Sequence, residues 1–143
     1  MMRILMVFST KSGASRECAE MLAARIENCT ICDLEEKTPD LNSYDVVVAG
    51  SGIRRGKAYK PFRSFLKDNT DILLSKKTAF FLCGMTLDKA KENIEKNIPD
   101  ELRKNAVCLK MFSGKAPFGE RTARDPVNMD DIEAFAKAVR GIM

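Results

Sequence analysis

The chain has 143 residues, with 24 Lys and Arg against 20 Asp and Glu for a formal net charge of +4, five cysteines, no histidine and no tryptophan. That length suits a single domain, residues 1–143, around one core, and the cations are spread along the chain, which argues against nucleic acid as a partner. No apolar run approaches the ~20 residues of a membrane span, no N-terminal stretch has the form of a secretory signal, and an odd number of cysteines without histidine points to a reduced, cytoplasmic protein.

Residues 3–8, RILMVF, form a nearly continuous apolar run, the pattern of a parallel strand covered on both faces. The run ends in STKSGAS at 9–15, which leads into a helical pattern with Ala19, Leu22, Ala23 and Ile26 at i, i+3, i+4 and i+7. CTICDL at 29–34 reads as a shorter edge strand. Cys29 and Cys32 stand three apart, so on a strand they point to opposite faces. That spacing disfavours a redox pair, and with no second pair and no histidine a zinc site is poorer still; both read as structural cysteines. DVVVAG at 45–50 is the next central strand, and GSGIRRGKAY at 50–59 follows it as a loop with three glycines. Phe62, Phe65 and Leu66 mark a helix opened by Pro61 near its first turn. TAFFLC at 78–83 is a fourth strand ending in CGMT, and Leu87, Ala90 and Ile94 mark a helix that stops before Pro99. AVCLKMF at 106–112 is the last strand, residues 114–126 read as a surface loop, and Ile132, Phe135, Ala136 and Val139 mark the final helix. Strand and helix alternate with short connections, which implies right-handed crossovers and a doubly wound α/β fold.

In an open parallel sheet, ligands bind beyond the carboxyl ends of the strands, where the strand order reverses. Residues 9–15 occupy that end of the first strand. A dinucleotide site needs G-x-G-x-x-G, and only Gly13 is present; the nucleoside-triphosphate loop G-x-x-x-x-G-K-[ST] is absent throughout. A cysteine phosphatase needs a thiolate where this chain has Ser9, and a receiver domain needs an aspartate where it has Gly50 and Ser51. What remains is a cradle for a phosphomonoester. Ser9, Thr10, Ser12 and Ser15 each offer a hydroxyl, the amides opening the following helix are unpaired, and Gly13 permits a positive φ. Capping the helix needs one hydroxyl, and four are present. With a flat group held between GSGIRRGKAY and CGMT, the layout is that of a flavin mononucleotide site.

STKSGAS resembles the phosphate loop of flavodoxins, with one extra residue and Ser15 in place of the last threonine. FSTKSGASRE with VVVAGSGIRRGKAYKPFRSFL is similar to the flavodoxin-domain group that includes the menaquinone-dependent protoporphyrinogen oxidases, whose second loop commonly reads A-S-I-R-x-G. The likeness runs over residues 3–85. It implies a flavodoxin-like fold of the short-chain type, a five-stranded parallel sheet in the order 2-1-3-4-5 with helices on both faces, and FMN as cofactor. By the resemblance, Ser9, Thr10, Lys11, Ser12, Gly13, Ala14 and Ser15 bind the FMN phosphate. Ser51, Gly52, Ile53, Arg54, Arg55 and Gly56, together with Gly84, Met85 and Thr86, flank the ribityl chain and ring. The chain departs from the group in two respects. Its second loop has no aromatic before Tyr59, and only residues 114–127 separate the last strand from the last helix, where the membrane-associated oxidases carry a long additional segment.

The first function expected is an FMN oxidoreductase of the protoporphyrinogen oxidase kind; the alternatives are a soluble flavodoxin-type electron carrier and a flavin-free interaction domain. Carriers of the family are usually strongly acidic, whereas Arg54, Arg55 and Lys57 make this flavin loop basic, which favours the enzyme. The partner expected is a redox protein or a small acidic substrate, with no membrane span and a peripheral membrane contact left open. With no histidine, proton traffic would fall to flavin, water, lysine or carboxylates.

Overall fold

The computed structural model describes residues 3–11, 13–84, 87–113 and 128–141. In chain order these form β1 (Ile4–Ser9), α1 (Ala14–Ala23), β2 (Cys29–Asp33), β3 (Val46–Arg54), β4 (Lys57–Ala58), α2 (Lys60–Asp68) and α3 (Thr70–Leu74). Then come β5 (Lys77–Gly84), α4 (Ala90–Asn97), α5 (Asp100–Asn105), β6 (Cys108–Ser113) and α6 (Met129–Arg140), with short 3-10 turns at Leu41–Ser43 and Leu87–Lys89.

The five long strands are parallel and lie in the order β2-β1-β3-β5-β6. Counted alone they give the order 2-1-3-4-5 expected of a flavodoxin-like sheet, with the reversal between β1 and β3. The addition is β4, a two-residue strand antiparallel to the end of β3.

Side chains alternate across the strands into two apolar layers. Ile4, Met6, Phe8, Val46, Val48 and Phe81 face α1 and α6. Leu5, Val7, Val47, Ala49, Phe80 and Leu82 face the layer of α2, α3 and α5. This double coverage explains the long apolar runs of the central strands. In the first layer Phe135 of α6 meets Phe81 edge-on at 6.0 Å and Phe112 at 5.8 Å. Arg140 closes the same side, donating from Nη1 to the Arg25 carbonyl at 2.8 Å and from Nη2 to Glu133 at 2.8 Å, so α6 is clasped to the end of α1.

Cys29 packs against the first layer and Cys32 lies in the second, on opposite faces as their spacing requires. Burial pushes the Cys29 thiol up to about 11, which makes it a poor nucleophile. The fourth helix differs from its sequence reading. Ala90 and Ile94 are only partly buried, and its buried residues are Asn93 and Asn97, for a reason that lies in the hairpin of β3 and β4. The surface loop expected at 114–126 lies outside the described residues. Among those described, no helix is long and apolar enough to cross a membrane.

Candidate functional site

The carboxyl ends of β1, β3 and β5 lie side by side. Ser9 is registered with Ser51, Gly52 with Cys83, and Gly84 with Ser113 of β6. Two structures rise from this row of strand ends, the turn between β1 and α1 and the hairpin of β3 and β4.

The turn is stapled from within. The Thr10 hydroxyl oxygen accepts the Gly13 amide at 2.9 Å, and the Ser15 hydroxyl donates to the Ser9 carbonyl at 2.7 Å. Gly13 is the N-cap of α1 with φ 90°, a left-handed conformation that a side chain would strain, and no side chain caps the helix. The first helical bond runs from the Glu17 amide to the Gly13 carbonyl at 3.0 Å, so the amides of Ala14, Ser15 and Arg16 have no helical carbonyl. Beside them the Ser9 hydroxyl is fully buried and has no hydrogen-bond partner among the described residues. A buried hydroxyl without a partner costs free energy, and a helix N-terminus attracts an anion. Together they fit a phosphate group that accepts from both. The four hydroxyls therefore divide by task. Thr10 and Ser15 shape the turn, Ser9 is unmatched, and Ser12 lies outside the described residues.

The second loop is more ordered than its composition suggests. β3 continues through Ser51, Gly52 and Ile53 to Arg54, and the chain reverses over Arg55 and Gly56, both at positive φ (54° and 79°), before Lys57 pairs back with Arg54. Two central residues at positive φ make the turn whose twist matches paired strands. Asn97 holds this hairpin from α4. Its Oδ1 accepts the Ala58 amide at 2.9 Å, and its Nδ2 donates to the Gly56 carbonyl at 3.0 Å. That is why a polar residue occupies the inner face of α4. The Ser51 hydroxyl is also committed, donating to the Gly52 carbonyl and accepting the Tyr59 amide at 3.1 Å.

Tyr59, the last residue of the second loop, enters the site. A Cβ on Gly52 would stand 2.6 Å from the Tyr59 ring, so Gly52 makes room for that ring. Lys11 from the first turn lies over the ring with Nζ 5.1 Å from its centroid, a cation–π contact that joins the two structures. Burial raises the Tyr59 hydroxyl pKa, with Arg54 opposing it, so the phenol stays protonated and able to donate. From the third segment, Gly84 is buried at the end of β5 against Ile53, while Met85 and Thr86 lie outside the described residues. Ser9, Lys11, Gly13, Ser51, Ile53 and Gly84 thus converge at one end of the sheet, with Arg54 and Arg55 exposed at the hairpin tip. Sequence reasoning missed Asn97 and the inward turn of Tyr59. The asparagines spaced i, i+4 on α4 were the available signal.

A family model described as a flavodoxin domain matches residues 5–120. The chain belongs to the flavodoxin-domain family. Within that family, a protoporphyrinogen IX dehydrogenase [quinone] of Escherichia coli (strain K12) is 31% identical over 96 residues, which cover 64% of this chain and 53% of that protein. The chain spans about half the length of that relative. Among solved structures, a short-chain flavodoxin associated with a PDU bacterial microcompartment aligns over 99% of both chains with a TM-score of 0.69 and 15% identity. A flavoprotein in complex with FMN from Lactobacillus acidophilus aligns over 78% of this chain and 93% of its own, with a TM-score of 0.62 and 13% identity. These likenesses show the flavodoxin fold.

Proposed function

We propose that this flavodoxin-domain chain forms one domain binding one FMN, and that it serves as a cytoplasmic FMN-dependent oxidoreductase. The observation that carries the reading is the buried Ser9 hydroxyl, without a partner among the described residues, close to the start of α1. Ser9, Thr10, Gly13 and the amides of residues 14–16 would hold the phosphate. Ser51 to Gly56, with Gly84, would line the ribityl chain and ring, and Tyr59 would stand behind them under Lys11. The bound flavin supplies the transfer of electrons, and the protein supplies binding, orientation and local charge. Arg54 and Arg55, exposed at the hairpin tip, suit a carboxylated substrate, since guanidinium pairs bidentately with carboxylate. The E. coli relative makes a carboxylated tetrapyrrole the leading substrate candidate.

A second reading, a flavodoxin-type electron carrier, is favoured by the short-chain flavodoxin that matches over nearly its whole length while the dehydrogenase matches over half. Purified protein is expected to be yellow with the visible absorbance of bound flavin. Anaerobic mixing with protoporphyrinogen is expected to bleach that absorbance rapidly, and more slowly in the Arg54→Gln, Arg55→Gln variant. If the porphyrinogen leaves the flavin oxidised while a flavoprotein reductase bleaches it, the carrier replaces the enzyme.

A further inference from the structure

Between Asp45 and Asp68 the chain carries Arg54, Arg55, Lys57, Lys60, Arg63 and Lys67 and no acidic residue. The fold turns this run into one surface. Arg54 and Lys57 face each other across the hairpin, with Arg55 at its tip. Lys60, Arg63 and Lys67 fall at i, i+3 and i+7 on α2, one above another, and all six are exposed. The Arg63 Nε donates to the Ala58 carbonyl at 3.0 Å, which ties the top of the helix stripe to the base of the hairpin.

Elsewhere in the molecule several cations are paired. Arg16 pairs with Asp33, Arg25 and Arg140 with Glu133, Lys104 with Asp100, and Lys110 with Asp131. In this stripe Arg55, Lys57, Lys60, Arg63 and Lys67 form no ion pair among the described residues. The stripe is also held in place, because Asn97 and the Ser51–Tyr59 bond fix the hairpin that carries its upper end. Five like charges in a row with no ion pair among the described residues make a surface that invites its complement, and complementary charge speeds encounter and fixes orientation.

We propose that this stripe docks an acidic protein against the rim of the candidate site, with the hairpin tip as the upper end of the contact. The inference rests on the proposed redox function only for the identity of the partner, an electron-transfer protein with an acidic face. A protein fits better than a lipid surface because the stripe has no apolar anchor. Phe62, Phe65 and Leu66 of α2 are buried, and among the described residues the exposed large apolar side chains, Ile31, Val107 and Met129, lie outside the stripe. Nucleic acid fits less well, because Tyr59 is turned inward and the stripe displays no aromatic for base stacking.

The test uses the FMN-reconstituted protein and a fluorescently labelled, strongly acidic plant-type [2Fe–2S] ferredoxin as probe, with binding read by anisotropy at several salt concentrations. The comparison is with the Lys57→Glu, Lys60→Glu, Lys67→Glu variant, with thermal melting and flavin content confirming that it folds as the native protein does. Binding of the ferredoxin that weakens with salt, and by roughly tenfold or more in the variant, is the expected result. No binding, or binding that the charge reversal leaves unchanged, overturns the proposal. Co-sedimentation with vesicles of phosphatidylcholine and phosphatidylglycerol in place of ferredoxin binding also overturns it and makes the stripe a membrane contact. The anisotropy signal does not depend on flavin, so a protein that takes up no FMN yet binds the ferredoxin through the stripe would refute the FMN assignment while leaving the docking surface standing.

Discussion

The turn after β1 and the hairpin after β3 stand together at one end of the sheet, yet their polar groups are arranged in opposite ways. In the hairpin, the Ser51 hydroxyl, the Ala58 and Tyr59 amides and the Gly56 carbonyl all find partners within the protein. In the turn, internal bonds fix the shape, but among the described residues the Ser9 hydroxyl has no partner and the amides of residues 14–16 have no helical carbonyl. The hairpin is complete as it stands and contributes position and charge. The turn is completed only by something that brings acceptors to it.

The largest expected effect tests whether that something is a phosphate. Apoprotein titrated calorimetrically with FMN and with riboflavin should bind FMN more tightly by about a thousandfold or more, since each charge-assisted hydrogen bond contributes roughly 1.5–3 kcal/mol and several are lost together. Equal affinities would erase the distinction between the two structures. A sharper form uses one substitution in each. Ser9→Ala should weaken FMN binding by roughly tenfold to a hundredfold while leaving the apoprotein equally or more stable, because it removes a buried hydroxyl whose missing partner costs about 1–3 kcal/mol. Asn97→Ala should do the reverse. It strands the buried Ala58 amide, so the apoprotein should lose about 1–3 kcal/mol in chemical denaturation and the preference for FMN over riboflavin should stay unchanged.

The smallest effect comes from Cys29, which belongs to neither structure and reports on the body of the fold. Its thiol rises from 9.0 to about 11 on burial, so folding favours the protonated form. Its contribution is fully present below pH 9 and is lost as the pH rises towards about 11. Cys29→Ala should flatten the alkaline fall of the melting temperature without touching FMN affinity.

Much of this was legible in the sequence where the determining physics is local or repeated. The central strands are apolar on both faces, so RILMVF, DVVVAG and TAFFLC declare a covered parallel sheet. The hydroxyls around Gly13 announce a turn opening a helix, because the helix start, the glycine and Ser9 are neighbours in the chain. The hairpin was hidden because its turn places Arg55 at φ 54°, where glycine or asparagine would have been the signal. Asn97 was hidden for a different reason. A polar side chain is buried for the sake of its partner, and here the partner carbonyl of Gly56 lies 41 positions away. The short helices α3 and α5, five and six residues long, carry too little periodicity to read.

The clasp between Arg140 and the Arg25 carbonyl sets an order of events during synthesis. The turn after β1 and helix α1 are translated before β6 and α6, yet the first apolar layer also needs Phe112 and Phe135, and the clasp itself bridges 115 positions. A nascent chain therefore carries the donors proposed for the phosphate long before the wall behind them exists. On the proposed function, capture of a phosphate should begin only after α6 has emerged and closed that wall, so the turn becomes competent later than a helix translated well after it.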